Sequence, residues 1–212
     1  MIKHHLTEDL LMAYSAGALS EAFSLAVATH ISLCDECRAA AESYDAVGGA
    51  VMVSTDAAPV SDSCLSNTLA AIREADTETP APRLTDTVLP SPLAEYVGGG
   101  VDKIKWKSAG MGVKQAILPT NDDAVARLLY IPAGAAVPDH GHGGLELTCV
   151  LQGAFRDEDM RFARGDIEVA TEEVDHTPIA DISEDCICLA VTDAPLKFKG
   201  WLPRLAQPFL GI

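Results

Sequence analysis

The chain has 212 residues, 48% hydrophobic and 22% charged, enough apolar material for one large core or two small ones. Its formal charge of −16 argues against a phosphate-backbone partner, because affinity for nucleic acid rests on Lys and Arg displacing counterions. No run approaches the roughly 20 apolar residues of a membrane span, and residues 1–5 do not open a secretory signal, so no membrane partner is expected.

Thr7 is placed to cap a first helix whose opening turn carries Glu8 and Asp9, the favoured sign there, and Gly17 ends it. Ser20 then starts a second helix over 21–33, rich in Ala, Leu and Val without a breaker. Near its end stands His30-Ile31-Ser32-Leu33-Cys34-Asp35-Glu36-Cys37. His30 and Cys34 are one turn apart and leave the same face, and Cys37 follows at the C-x-x-C spacing that lets two thiolates reach one tetrahedral ion. A buried histidine between free cysteines is the plain alternative, but three such residues at ligand spacing favour a metal, and zinc suits the mixed set. The fourth ligand is His4 or His5, with His5 preferred.

The six cysteines fit this reading in a cytoplasmic setting, where thiols serve metal or redox chemistry before structural disulfides. A third helix is expected over 35–47, stopped by Gly48-Gly49. A fourth should follow Ser61 or Asp62, with Leu65, Leu69 and Ile72 forming an apolar stripe that either packs on its own domain or meets a partner. From 80 to 92, Pro80, Pro82, Pro90 and Pro92 read as an extended linker between domains at 1–79 and 93–212. The first is near the size below which folds need a staple, which a structural zinc provides.

After Pro92 the period becomes two. Segments 113–118, 125–131, 145–151, 166–170 and 186–191 are short, rich in branched and aliphatic residues and punctuated by Gly, Pro and Asp, as in a β-sandwich or barrel. Within them lies His140-Gly141-His142-Gly143-Gly144-Leu145-Glu146, whose three polar residues share one strand face if the Gly-Gly bend keeps register. Two imidazoles and a carboxylate are most of a metal site, and His176 is the remaining histidine to complete it. Such a set satisfies tetrahedral zinc or leaves open positions on manganese, iron or nickel. Cys186 and Cys188 share a strand face as a candidate redox pair, or simply fill a core.

Two family resemblances follow from these residues. His-x3-Cys-x2-Cys after a distant His, in an all-helical segment, resembles the zinc-containing anti-sigma domain. Leu19-Ser20-Glu21-Ala22-Phe23, Ala28-Thr29-His30 and Cys34-Asp35-Glu36-Cys37-Arg38 are similar to the ChrR-type anti-sigma factors in particular. Gly134, His140-x-His142, Glu146 and Gly153 fit the first cupin motif without a gap. Gly165 and His176 fall at the spacing of the second, although Thr171, Glu173 and Ala180 replace its Pro, Gly and Asn.

The resemblance implies a small all-α zinc domain followed by an all-β cupin barrel, α+β overall, with zinc in both metal sites. It implies no enzyme, but an inhibitor of an extracytoplasmic-function sigma factor that releases it on oxidative stress, such as singlet oxygen, sensed through the cupin. The rival reading is a metallo-cupin enzyme, a dioxygenase or isomerase, with an accessory zinc domain. A nucleic-acid-binding zinc domain is disfavoured by 3 Lys or Arg against 12 Asp or Glu over residues 1–79.

Overall fold

The computed structural model describes residues 1–75, 86–121, 124–157, 160–173 and 175–198. Helix α1 (Glu8–Ser15) is capped by Thr7, whose hydroxyl accepts from the Leu10 amide at 3.4 Å. Helix α2 (Glu21–Leu33) is buried on several sides through Ala22, Phe23, Leu25, Ala26, Val27, Thr29 and His30. Cys34 ends it and caps α3 (Asp35–Ser54), its Sγ accepting from the Cys37 amide at 3.5 Å.

Helix α3 corrects the sequence expectation, since it runs through Gly48-Gly49 instead of stopping there. Two mid-helix glycines cost about 1 kcal/mol each relative to alanine, too little to end a helix already formed. Helix α4 (Cys64–Glu74) buries no residue. Of the segment read as a linker, residues 80–85 lie outside the described residues. From Asp86 onward it is packed: Leu89 is buried, and the Asp86 carboxylate accepts from the Val88 and Leu89 amides. A further helix, α5 (Ser91–Val97), precedes the strands, with Pro92 in its first turn, where a missing N–H is harmless.

Twelve strands follow among the described residues. The main sheet runs β1 (Lys107–Gly110), β2 (Val113–Ile117), β3 (Val125–Ile131), β11 (Cys186–Thr192), β5 (Glu146–Gln152), β8 (Ile167–Ala170) in that spatial order. One small sheet joins β10 (Ile179–Ala180), β6 (Ala154–Asp157) and β7 (Met160–Ala163). Another joins β12 (Lys197–Phe198), β4 (His140–Gly141) and β9 (Asp175–His176). The described pairings are antiparallel.

Strict alternation makes the main sheet a wall with two working faces. Leu147, Cys149 and Leu151 of β5 and Ile187, Leu189 and Val191 of β11 point outward, into one core shared with α2 and α5. Glu146 and Thr148 of β5, and Cys188, Ala190 and Thr192 of β11, point inward to a cavity. The helical segment therefore sits on the outer face of the barrel wall whose inner face carries metal-ligand types.

Candidate metal centres

The N-terminal group is assembled at a helix junction. His30 comes from the last turn of α2, Cys34 from the cap and Cys37 from the first turn of α3; one potential ligand atom from each of these and from His5 lies within 4.8 Å of the others. His5 Nδ1 is 3.3 Å from Cys34 Sγ and 3.6 Å from Cys37 Sγ. A tetrahedral zinc with ordinary Zn–S and Zn–N bonds has S···N edges of about 3.6 Å, so the donors fit that ion. Of the two histidines left open by the sequence, His5 is the one so placed, whereas His4 lies against the Phe162 ring at 4.3 Å between centroids.

His30 is fully buried, and its Nε2 has no protein partner, while its Nδ1 is 2.9 Å from the Gly165 carbonyl oxygen. Burial holds its pKa down at about 4 and so favours the neutral, ligating imidazole. Burial likewise pushes the Cys37 thiol up to about 11, so a stable thiolate there needs a compensating cation.

The second group lies inside the barrel. His140 on β4, His142 just after it and His176 on β9 converge: His176 Nε2 is 3.1 Å from His142 Nε2 and 3.2 Å from His140 Nε2. Each Nδ1 faces an oxygen, the Pro138 carbonyl at 2.8 Å for His140, Glu146 Oε2 at 3.3 Å for His142 and Asp157 Oδ2 at 3.0 Å for His176. In the neutral tautomers that carry their protons on Nδ1, three Nε2 lone pairs face one another, an arrangement a cation relieves. The donors therefore fit a metal.

Glu146 is the sequence candidate that stands apart. It lines the same cavity, but its carboxylate accepts from the Thr148 hydroxyl at 2.9 Å and abuts His142 Nδ1, outside the imidazole trio. Burial opposes its ionisation, yet His142 and His140 beside it hold its carboxyl below the usual range.

Gly143 and Gly144, between the two halves of this motif, are needed for close approach. A Cβ on Gly144 would stand 2.1 Å from the Asp193 carboxylate, and one on Gly143 would stand 2.8 Å from the Pro195 carbonyl oxygen.

With this geometry in place, comparison with known proteins identifies the lineage. Residues 96–196 match the family described as ChrR Cupin-like domain. The Anti-sigma-E factor ChrR of Cereibacter sphaeroides is 57% identical over 212 residues, covering 100% of this chain and 99% of that protein. The chain belongs to the ChrR family of anti-sigma factors. The fold also matches a chain of the crystal structure of Rhodobacter sphaeroides SigE in complex with the anti-sigma ChrR, with a TM-score of 0.81 and 55% identity over 91% of this chain and 100% of that one. Membership sets the chain among regulators, although the cupin fold also serves many enzymes.

Two acidic residues of the barrel site are not evident in the sequence. Asp157 and Glu168 stand behind His176, with Glu168 Oε1 3.6 Å from its Nδ1. Burial alone would lower the His176 pKa, but these carboxylates outweigh it and push it up to about 9, so a metal at the trio has to displace the proton that His176 Nε2 otherwise holds. They come from β6 and β8, strands of different sheets, and only closure of the barrel brings them to one imidazole.

Cys186 and Cys188 are both free and buried on the inward face of β11, and Cys188 lines the cavity of about 60 Å³ together with Arg127, His140, Glu146, Glu168 and His176. A hydrogen bond with Cys186, then burial, raises the Cys188 thiol above its ordinary range. On α4, Leu65, Leu69 and Ile72 are 70%, 41% and 65% exposed, so the stripe is left open instead of packing on its own domain.

Proposed function

We propose that this chain holds an extracytoplasmic-function sigma factor inactive in the cytoplasm, with zinc in the His5, His30, Cys34, Cys37 group and a second metal, also zinc, in the barrel. The observation that carries this reading is full-length similarity to an anti-sigma-E factor, joined to a structural match with a ChrR chain solved in complex with SigE. No helix among the described residues is long and apolar enough to cross a membrane, which suits a partner met away from one.

The inhibitory surface is assigned to the helical segment 1–79. Leu65, Leu69 and Ile72 form an exposed apolar face on α4, and Val51, Met52 and Val53 are exposed at the end of α3; burial of these side chains by a partner is favourable. The barrel is the sensing part: His140, His142 and His176 hold its metal, Glu146 completes the set once its carboxylate turns from Thr148 and His142 Nδ1 toward the trio, Cys186 and Cys188 lie close by, and oxidant chemistry there releases the partner. A signal shifts such an equilibrium only by changing the free and bound states unequally, and about 1.4 kcal/mol alters affinity tenfold. The chain is not an enzyme in this reading; the enzyme alternative would draw on the cavity beside the three imidazoles.

The test is co-expression with the organism's sigma factors and a reporter for each. The wild-type chain should silence one of them, and Leu65→Asp with Ile72→Asp should weaken that silencing at least tenfold while the protein keeps its melting temperature. Turnover of a small substrate by the purified chain, with no sigma factor retained or silenced, would favour the enzyme.

A further inference from the structure

The turn between β7 and β8 reaches out of the barrel and into the N-terminal metal group. Gly165 there has φ +89, a conformation suited to glycine, and a Cβ on it would lie 2.6 Å from Ile2 Cδ1. Its carbonyl oxygen faces His30 Nδ1 at 2.9 Å, the nitrogen opposite the unpartnered Nε2. The next residue, Asp166, is buried, and its Oδ1 accepts from the amides of Lys3 at 2.6 Å and His4 at 3.0 Å, while Oδ2 accepts from the Ala163 amide at 2.8 Å. The Ile167 amide then donates to the His4 carbonyl at 3.3 Å. Residues 3 and 4 are thus fastened to the barrel immediately before His5, and the His4 ring lies on Phe162.

We infer that the Gly165-Asp166 turn of the barrel is a positioning element of the N-terminal metal group. Gly165 orients the His30 ring and fixes its Nε2 as the ligating nitrogen. Asp166 anchors the strap that carries His5. The two ligands that lie outside the Cys34–Cys37 turn, His5 and His30, are therefore both held by the barrel. Metal affinity and docking of the helices on the barrel are linked as a result: each is stronger when the other is in place. Residues that hold a ligand's second nitrogen are worth 10–100-fold in metal affinity, which sets the effect expected here.

The inference rests on the proposed metal in the Cys34 and Cys37 group, and the experiment separates the two. Full-length protein is loaded with cobalt(II), whose thiolate charge-transfer absorption reports the N-terminal group alone, since the barrel trio has no sulfur ligand. Wild type without that band would overturn the metal reading itself. Given the band, titration with a chelator should show Asp166→Ala losing N-terminal metal with about 10–100-fold weaker affinity, with Asp166→Asn intermediate because one acceptor oxygen survives. Metal retained in the barrel of the same sample shows that the barrel has folded. Where Asp166→Ala loses both metals, Gly165→Ala, which displaces the carbonyl through its strained φ, is read in the same way, together with Asp166→Asn. Wild-type affinity in these variants, while the Lys3 and His4 amides exchange faster than in wild type, would overturn the inference.

Discussion

The two metal groups are built on opposite plans. The N-terminal group draws three of its four donors from eight consecutive residues at a helix junction, and its thiols lie where α2 and α3 meet. The barrel group draws its imidazoles from strands of a sheet system with an apolar interior of its own, including Phe155, Phe162 and Val150. Helices α1 and α3 contribute only Leu11, Cys37 and Ala41 as buried residues. A metal in the first group therefore acts mainly as a fold staple, while one in the second sits in a cavity that strand packing already shapes.

Removing one ligand from each group tests this contrast. Cys37→Ala should have the largest effect, releasing the N-terminal metal and costing the helical segment on the order of 5 kcal/mol or more. Hydrogen exchange should show α1 and α3 losing protection, with α2 retaining some because it also packs on Leu147, Leu189 and Val191. Persistence of full protection in α1 and α3 without metal would erase the distinction. His142→Ala should release the barrel metal, leave the N-terminal one bound by elemental analysis, and cost about 1–3 kcal/mol. Collapse of protection in β3, β5 and β11 would show that the barrel, too, depends on its ion.

The same contrast explains what was legible in the sequence. His30, Cys34 and Cys37 lie within eight residues across the α2–α3 junction, so their spacing alone brings them together. His140 and His142 are legible as one strand face, but His176 joins them only as the histidine left over and at the spacing of a known motif, because contact between β4 and β9 is a property of the closed barrel. Asp157 and Glu168 have no local signal at all, being brought to His176 by strands of three different sheets. The alternation of β5 and β11 was visible, but both of its faces are buried, and the sequence did not reveal that α2 covers the outer one. Gly48-Gly49 predicts a stop that its modest propensity cost does not enforce, and Pro92, predicted in a linker, stands where a helix begins.

The smallest expected effect lies at those two glycines. Gly48 and Gly49 lie within α3 without positive φ, and a Cβ on either would meet nothing within 4 Å. Replacing each with alanine removes backbone entropy from the unfolded chain without strain, and should stabilise the helix by about 0.5–1 kcal/mol per site. In the metal-loaded protein the double variant should raise exchange protection beyond residue 47 and leave both metals in place. In a Cys37→Ala background the same gain is several-fold smaller than the lost metal contribution, so protection of α1 and the start of α3 should stay low. Recovery of that protection in the metal-free triple variant would mean that helix propensity, and not the ion, limits the folding of the helical segment.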